Sequence, residues 1–155
     1  GWCPASWPCL PSAAGRGDMA AHLEGHRAAI ACGYADLLGY RIRAWGPGEI
    51  VLEMDLGPQH GNRHGRVHGG AIASLVDAAG GLCGSYAPDA KDIRRAVTLS
   101  MNVNFLAPST ACRLRAAARL TGGGRKVFFA TVEVTDERHQ IVAQGQGSFR
   151  YRHQE

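Results

Sequence analysis

The chain has 155 residues, 45% of them apolar and 19% charged, with a formal net charge of +4. That suffices for one sizeable core, and no apolar run approaches the roughly 18 residues a membrane-spanning helix needs. The arginines are scattered among predicted strands and loops instead of forming a basic block with interleaved aromatics, which argues against a nucleic-acid partner and fits a small, acidic, phosphorylated substrate better.

Residues 1–18, rich in Trp, Cys, Pro and small residues, lack the basic start and continuous apolar stretch of a signal peptide. They read as a disordered or vector-derived tail, with Met19 as the natural start and 19–155 as a single domain. Met19 to Cys32 has helical spacing after an Asp18 cap and stops near Gly33, and Tyr34 to Leu38 reads as another helical turn. Tyr40 to Trp45 and Glu49 to Leu56 flank Gly46-Pro47-Gly48 and predict a hairpin, with Ile50, Leu52, Met54 and Leu56 on one face. Between Gly70 and Tyr86 the only charged residue is Asp77, so this segment predicts a central helix that is apolar nearly all round and therefore buried. Strands follow over Arg95 to Leu106, Cys112 to Leu120, Val127 to Thr135 and Ile141 to Arg152, able to run antiparallel one after another. These elements define an α+β domain in which a curved sheet wraps the helix. Phe128, Ala130, Val132 and Val134 face that helix, and Gly80-Gly81 allows a strand close to it.

Five cysteines, Cys3, Cys9, Cys32, Cys83 and Cys112, form no C-x-x-C pair and leave one unpaired under any disulfide scheme. A reduced, cytoplasmic setting is expected. Cys83 and Cys112 lie in apolar segments and read as small hydrophobes.

The chemistry concentrates in Asn62 to Asp77, N-R-H-G-R-V-H-G-G-A-I-A-S-L-V-D. A lone carboxylate on an apolar helix needs a partner or a cleft. As a structural residue Asp77 would bond a nearby backbone or arginine, and Gly69-Gly70 would be only a tight turn. Taken together, however, the glycines open a helix with unpaired N–H groups at its positive end and no side chain to block approach, an oxyanion site. Asp77 lies about 11 Å farther along, at about 1.5 Å per residue, too far for both to reach one reacting atom in the same chain. A two-fold dimer with shared active sites resolves this. His60, His64 and His68 recur every four residues and raise a zinc alternative. Gly57, Pro58, Gly61 and Gly65 break the helix it would need, so no metal is expected. His68 is expected to orient the turn before Gly69 or to line the cleft.

The stretch Asn62-x-x-Gly65-x-x-His68-Gly69-Gly70, Asp77 beyond it and the later Met101-Asn102-Val103-Asn104-Phe105-Leu106-Ala107-Pro108 resemble the PaaI-type (phenylacetic acid degradation) thioesterases, over roughly Leu37 to Arg150. The resemblance implies the hotdog fold and hydrolysis of a small aromatic or short- to medium-chain acyl-CoA without a cofactor. It also implies a homotetramer built as a dimer of dimers. On this reading the Gly69 N–H, supported by Asn62, polarises the thioester carbonyl. Asp77 acts as general base on water or as a nucleophile giving a mixed anhydride, and both remain open. Thr98 falls where related thioesterases carry a hydroxyl that helps hold the water, although it is equally an ordinary strand residue. Gly70 would adjoin the substrate, and Arg125-Lys126 and Arg94-Arg95 are candidates for the coenzyme A phosphates, against a purely solubilising role. Two rival functions remain: a hotdog acyl-thioester hydratase or dehydratase using His68 with Asp77, and a non-catalytic acyl-CoA binding protein.

Overall fold

The computed structural model describes the backbone of residues 16–152 and the side chains of residues 23–152. Two leading helices, α1 (Arg16–Ile30) and α2 (Gly33–Leu38), precede the hairpin β1 (Tyr40–Gly46) and β2 (Glu49–Asp55). A short 3-10 turn at Pro58–His60 leads to the central helix α3 (Gly69–Cys83), and β3 (Ala96–Phe105), β4 (Arg113–Gly123), β5 (Val127–Asp136) and β6 (Ile141–Tyr151) complete the chain. Most of the tail expected over residues 1–18 lies outside the described residues, as do Cys3 and Cys9; positions 16–18 belong to α1, which starts earlier than the Met19 expected.

All strands join one six-stranded antiparallel sheet in the order β1-β2-β4-β5-β6-β3. The four later strands do not simply follow one another: β3 crosses to the far edge and pairs only with β6, while β4 sits beside β2. The sheet wraps α3 as the hotdog fold does. Ile50, Leu52 and Met54 of β2, Leu114, Ala116 and Ala118 of β4, and Phe128, Ala130, Val132 and Val134 of β5 are all buried around the inner face of α3, as their period-two spacing requires.

Close approach is bought with missing side chains. A Cβ on Gly80 would lie 2.6 Å from the Phe149 ring, and one on Gly145 would lie 2.4 Å from Val76 Cγ1. Val76 is buried in α3 and stiff about χ1, so it cannot step aside. Gly145→Ala is therefore expected to destabilise by about 1–3 kcal/mol through overpacking, offset only partly by the backbone gain of up to about 1 kcal/mol. A thermal melt should show Tm lower by several degrees.

The central helix is not buried all round. Ala71, Ile72, Leu75, Val76, Ala79, Gly80 and Cys83 face the sheet, but Ala73, Ser74, Asp77, Ala78, Gly81 and Leu82 form a half-exposed stripe in the isolated chain. Leu82 packs partly on the core, and its carbonyl accepts from Trp45 Nε1 at 3.0 Å. The thiols also divide. Cys83 is fully buried, donates to the Gly80 carbonyl and has its pKa pushed up to about 12 by that burial. Cys112, expected as a small hydrophobe, is exposed just before β4.

Candidate active site

The approach to α3 is a loop fastened from behind. His60 is 2% exposed; its Nδ1 accepts from the Gly57 N–H at 2.9 Å, and its Nε2 donates to the Leu38 carbonyl at 2.8 Å, which fixes the neutral tautomer. The His60 carbonyl in turn accepts from His68 N at 2.7 Å, and Val67 N donates to Ser109 O at 2.9 Å. The three histidines that raised zinc thus do three separate things. His60 braces the loop, exposed His64 accepts from Arg63 Nε at 3.1 Å, and His68 caps α3. Among the described residues no cluster of three metal-ligating side chains occurs.

Asn62 shapes the turn itself. Its Oδ1 accepts from His64 N at 2.9 Å and Arg66 N at 3.1 Å, while its backbone N–H donates to Arg66 O at 2.7 Å. Two backbone donors on the oxygen settle the amide orientation and leave the Nδ2 protons as the available donors. Gly65, at φ 68°, takes the left-handed position that closes this loop.

At the helix start the donors are nearly all taken. His68 Nδ1 accepts from Gly70 N at 2.8 Å, and the His68 carbonyl accepts from Ala71 N at 3.0 Å and Ile72 N at 3.3 Å. Only the Gly69 N–H has no acceptor among the described residues, and it sits at the positive end of a 15-residue helix. The two glycines serve different ends. A Cβ on Gly70 would meet the His68 ring at 2.9 Å and spoil the cap, whereas one on Gly69 would reach the Phe105 ring only at 3.4 Å.

Asp77 lies two turns along the half-exposed stripe. Its Oδ1 accepts from Thr98 Oγ1 at 2.6 Å, the short contact of a hydroxyl with a carboxylate. A bulge explains how Thr98 reaches the helix. The β3–β6 register shifts between Thr98 and Ser100, leaving Leu99 as the extra residue. Thr98 therefore lies opposite buried Phe149 on the inner face, while Ser100 and Asn102 lie opposite outer-face Ser148 and Gln146. Strict alternation would have put Thr98 outside with them.

Ser74, Tyr34 and Tyr40 were not anticipated. Ser74 Oγ donates to Gly70 O at 2.8 Å and shares a 2.7 Å hydrogen bond with Tyr34 OH. Apart from Asp77 and Cys83 it is the only polar side chain of α3, four residues after Gly70 and three before Asp77, so helical spacing alone could have flagged it. Tyr34, on the short helix α2, carried no such signal. The Tyr40 phenol is pushed up to about 12 by burial first, then by nearby Cys32, Asp77, Tyr34 and Asp36, so it stays a protonated donor near the carboxylate.

The two basic pairs separated by thirty residues converge at the far end of α3. Arg94 Nη2 donates to Arg125 O at 3.0 Å, and the Arg94 guanidinium lies 3.3 Å above the Tyr151 ring, whose hydroxyl donates to Gly84 O. Arg95 O accepts from Arg152 N at 2.8 Å, and Lys126 O from Tyr151 N at 2.9 Å. All four predicted cations, with Arg150 and Arg152, are exposed at the β3–β6–β5 end of the sheet. They lie well away from Gly69 of the same chain.

A helix wrapped by a six-stranded antiparallel sheet, with a free N–H at its start and a hydroxyl-bound carboxylate on its open face, defines a hotdog-fold protein with the parts for acyl chemistry. The pattern of the thioesterase superfamily matches residues 64–143. A protein of Halobacterium salinarum named as an esterase is 32% identical over 127 residues, covering 76% of this chain and 83% of that one. The mouse acyl-coenzyme A thioesterase 13 is 27% identical over 101 residues, 64% of this chain and 70% of that one. Among solved structures, the PaaI protein from the E. coli phenylacetic acid degradation operon superposes with a TM-score of 0.72 at 22% identity, over 85% of this chain and 96% of that one, which establishes the shared fold. The chain belongs to the thioesterase superfamily and is a thioester hydrolase.

Proposed function

We propose that the protein hydrolyses acyl-CoA thioesters at sites shared between two subunits. The observation that carries this reading is the pairing of one unspent donor with one open carboxylate on a single helix. The Gly69 N–H has no acceptor among the described residues, the Asp77 carboxylate is half-exposed, and about 11 Å of helix separates them. A thioester carbonyl at Gly69 would take its base or nucleophile from the partner subunit's Asp77.

The edge of the sheet supplies a reason to dimerise. β3 is a ten-residue edge strand with no partner on its outer side among the described strands, and it exposes Val97 and Leu99, with Phe105 and Leu106 at its end. Antiparallel pairing of two such edges about a two-fold axis extends the sheet and sets two α3 helices side by side, running in opposite directions. The half-exposed stripe of each α3 then faces the other. A dimer of dimers and a role in phenylacetate breakdown extend this reading by family likeness alone, and a cytoplasmic location by the unpaired cysteines.

Within the site, the Gly69 N–H, with Asn62 Nδ2, stabilises the carbonyl oxygen as charge develops on it. His68 contributes by holding Gly70 and the helix start in place; because its Nδ1 is spent as an acceptor for Gly70 N, it is poorly placed to serve as the base a dehydratase would need. Thr98 donates to Asp77 Oδ1, leaving the other carboxylate oxygen to take a proton from water or to attack the carbon. Thr98→Val should lower kcat by roughly tenfold or more through misplacement of Asp77, and Thr98→Ser should restore most of it. Equal kcat in the wild type and the Val variant would contradict this role.

The cations fit the coenzyme A end. If the partner subunit's Asp77 meets Gly69, then the chain giving the carboxylate also brings its Arg94, Arg95, Arg125 and Lys126 beyond the site on that side. Arg125→Ala or Lys126→Ala should raise KM for acyl-CoA, spare kcat, and leave a truncated pantetheine thioester nearly unaffected, since a distant phosphate contact contributes mostly uniform binding. Equal effects on both substrates would reject the phosphate role. Release of free thiol with turnover separates hydrolysis from dehydration, which changes the acyl chain without freeing CoA, and from binding alone.

A further inference from the structure

We propose that Tyr34 and Ser74 form the floor of the acyl pocket and set both the length and the distal polarity of the acyl group the protein accepts. The inference rests on the shared-site reading above. If Gly69 of each chain meets Asp77 of the other, the two-fold axis passes close to the midpoint between these positions on the helix, at Ala73–Ser74. The cationic end lies beyond Gly69 on the side away from that axis, so coenzyme A leaves outward and the acyl group points inward along the α3 stripe.

What it meets there is visible in the chain itself. Ser74 lies five residues past Gly69, about 7 Å along the helix. Its hydroxyl is held by Gly70 O at 2.8 Å and by Tyr34 OH at 2.7 Å. Tyr34 is 57% exposed in the isolated chain, and its hydroxyl is tied to Ser74, while neighbouring Ala35 is the buried residue of α2. The Phe105 ring lies 3.4 Å from where a Cβ on Gly69 would stand and makes the Gly69 end of this stretch apolar. With a second α3 laid against it, this stretch of about 7 Å, closed by a hydroxyl pair, would admit an aromatic ring or a short chain and could hydrogen-bond a polar group at the tip. A longer chain would have to displace Tyr34 or cross the dimer axis.

Binding of S-alkyl-CoA thioethers of graded length, followed by calorimetry, tests the floor without needing turnover. The wild type should gain affinity up to a short chain and lose it for octyl and dodecyl groups. Tyr34→Ala, which removes a ring exposed in the isolated chain and so spares the core, should raise octyl relative to butyl affinity by about tenfold or more. Tyr34→Phe should keep the length limit but lose, by about tenfold, a preference for a hydroxybenzyl over a benzyl thioether. A Tyr34→Ala length profile parallel to that of the wild type, or a hydroxyl preference absent from the wild type or unchanged in Tyr34→Phe, would overturn the proposal. Thiol release by the same proteins from the matching thioesters is read separately. Intact length selection without turnover would count against hydrolysis and leave the floor standing.

Discussion

Asp77→Asn is expected to lower kcat for acyl-CoA hydrolysis by on the order of a hundredfold or more with Tm close to that of the wild type. The substitution isolates chemistry from structure. Asparagine keeps an Oδ1 to accept the Thr98 hydroxyl, and at a half-exposed position losing the charge leaves no unpaired group in the core. What is lost is the basicity and nucleophilicity of the carboxylate. Steady-state kinetics beside a thermal melt decides the matter. Retention of most of the turnover would remove Asp77 from the reaction, and a variant that merely unfolds would make it a structural residue.

The second large effect is expected at the start of α3. Gly69→Pro removes the one N–H of the first turn left without an acceptor among the described residues and should lower kcat by about a hundredfold to a thousandfold, the scale of a lost oxyanion donor. Helix geometry makes this a mild change otherwise. Gly69 is the first residue of the helix, where proline is well accommodated, and His68 before it is already extended at φ −68° and ψ 134°. Gly69→Ala is the control. It keeps the N–H and brings a Cβ to 3.4 Å from the Phe105 ring, so it should retain far more activity than the proline variant. Comparable losses in both would assign Gly69 to packing against Phe105 instead.

Much of this site is legible in the residues alone. The helix start at Gly69-Gly70, the carboxylate two turns on and the mismatch between helix length and hydrogen-bond reach all follow from local spacing, which a single chain specifies directly. The His68 cap also belongs to this local class, because its partner is two residues away. Long-range placement was less legible. Nothing in Arg95 to Leu106 marks Leu99 as a bulge, so Thr98 entered the site only through family resemblance, and its inner-face position is visible only in the fold. The jump of β3 to the edge beside β6 is a matter of topology, and antiparallel strands of similar pattern carry no label for their neighbours. The open stripe on α3 was hidden because alanine and glycine suit a core and a helix–helix contact equally well. Cys112 went the other way: an apolar neighbourhood in sequence placed it inside, yet it precedes the first paired residue of β4 and faces solvent.

The shared site is the claim on which the rest depends, and complementation between two inactive proteins tests it most directly. One carries Asp77→Asn; the other carries Asn62→Ala with Gly69→Pro. If each site takes Asp77 from one chain and Asn62 with Gly69 from the other, a mixed dimer holds one site with both lesions and one with none. Co-expression or subunit exchange should then restore activity towards half the wild-type value per mixed dimer. Were every group drawn from a single chain, each site in the mixed dimer would keep a lesion. Folded heterodimers, confirmed by differential tagging, that stay inactive would contradict the shared site.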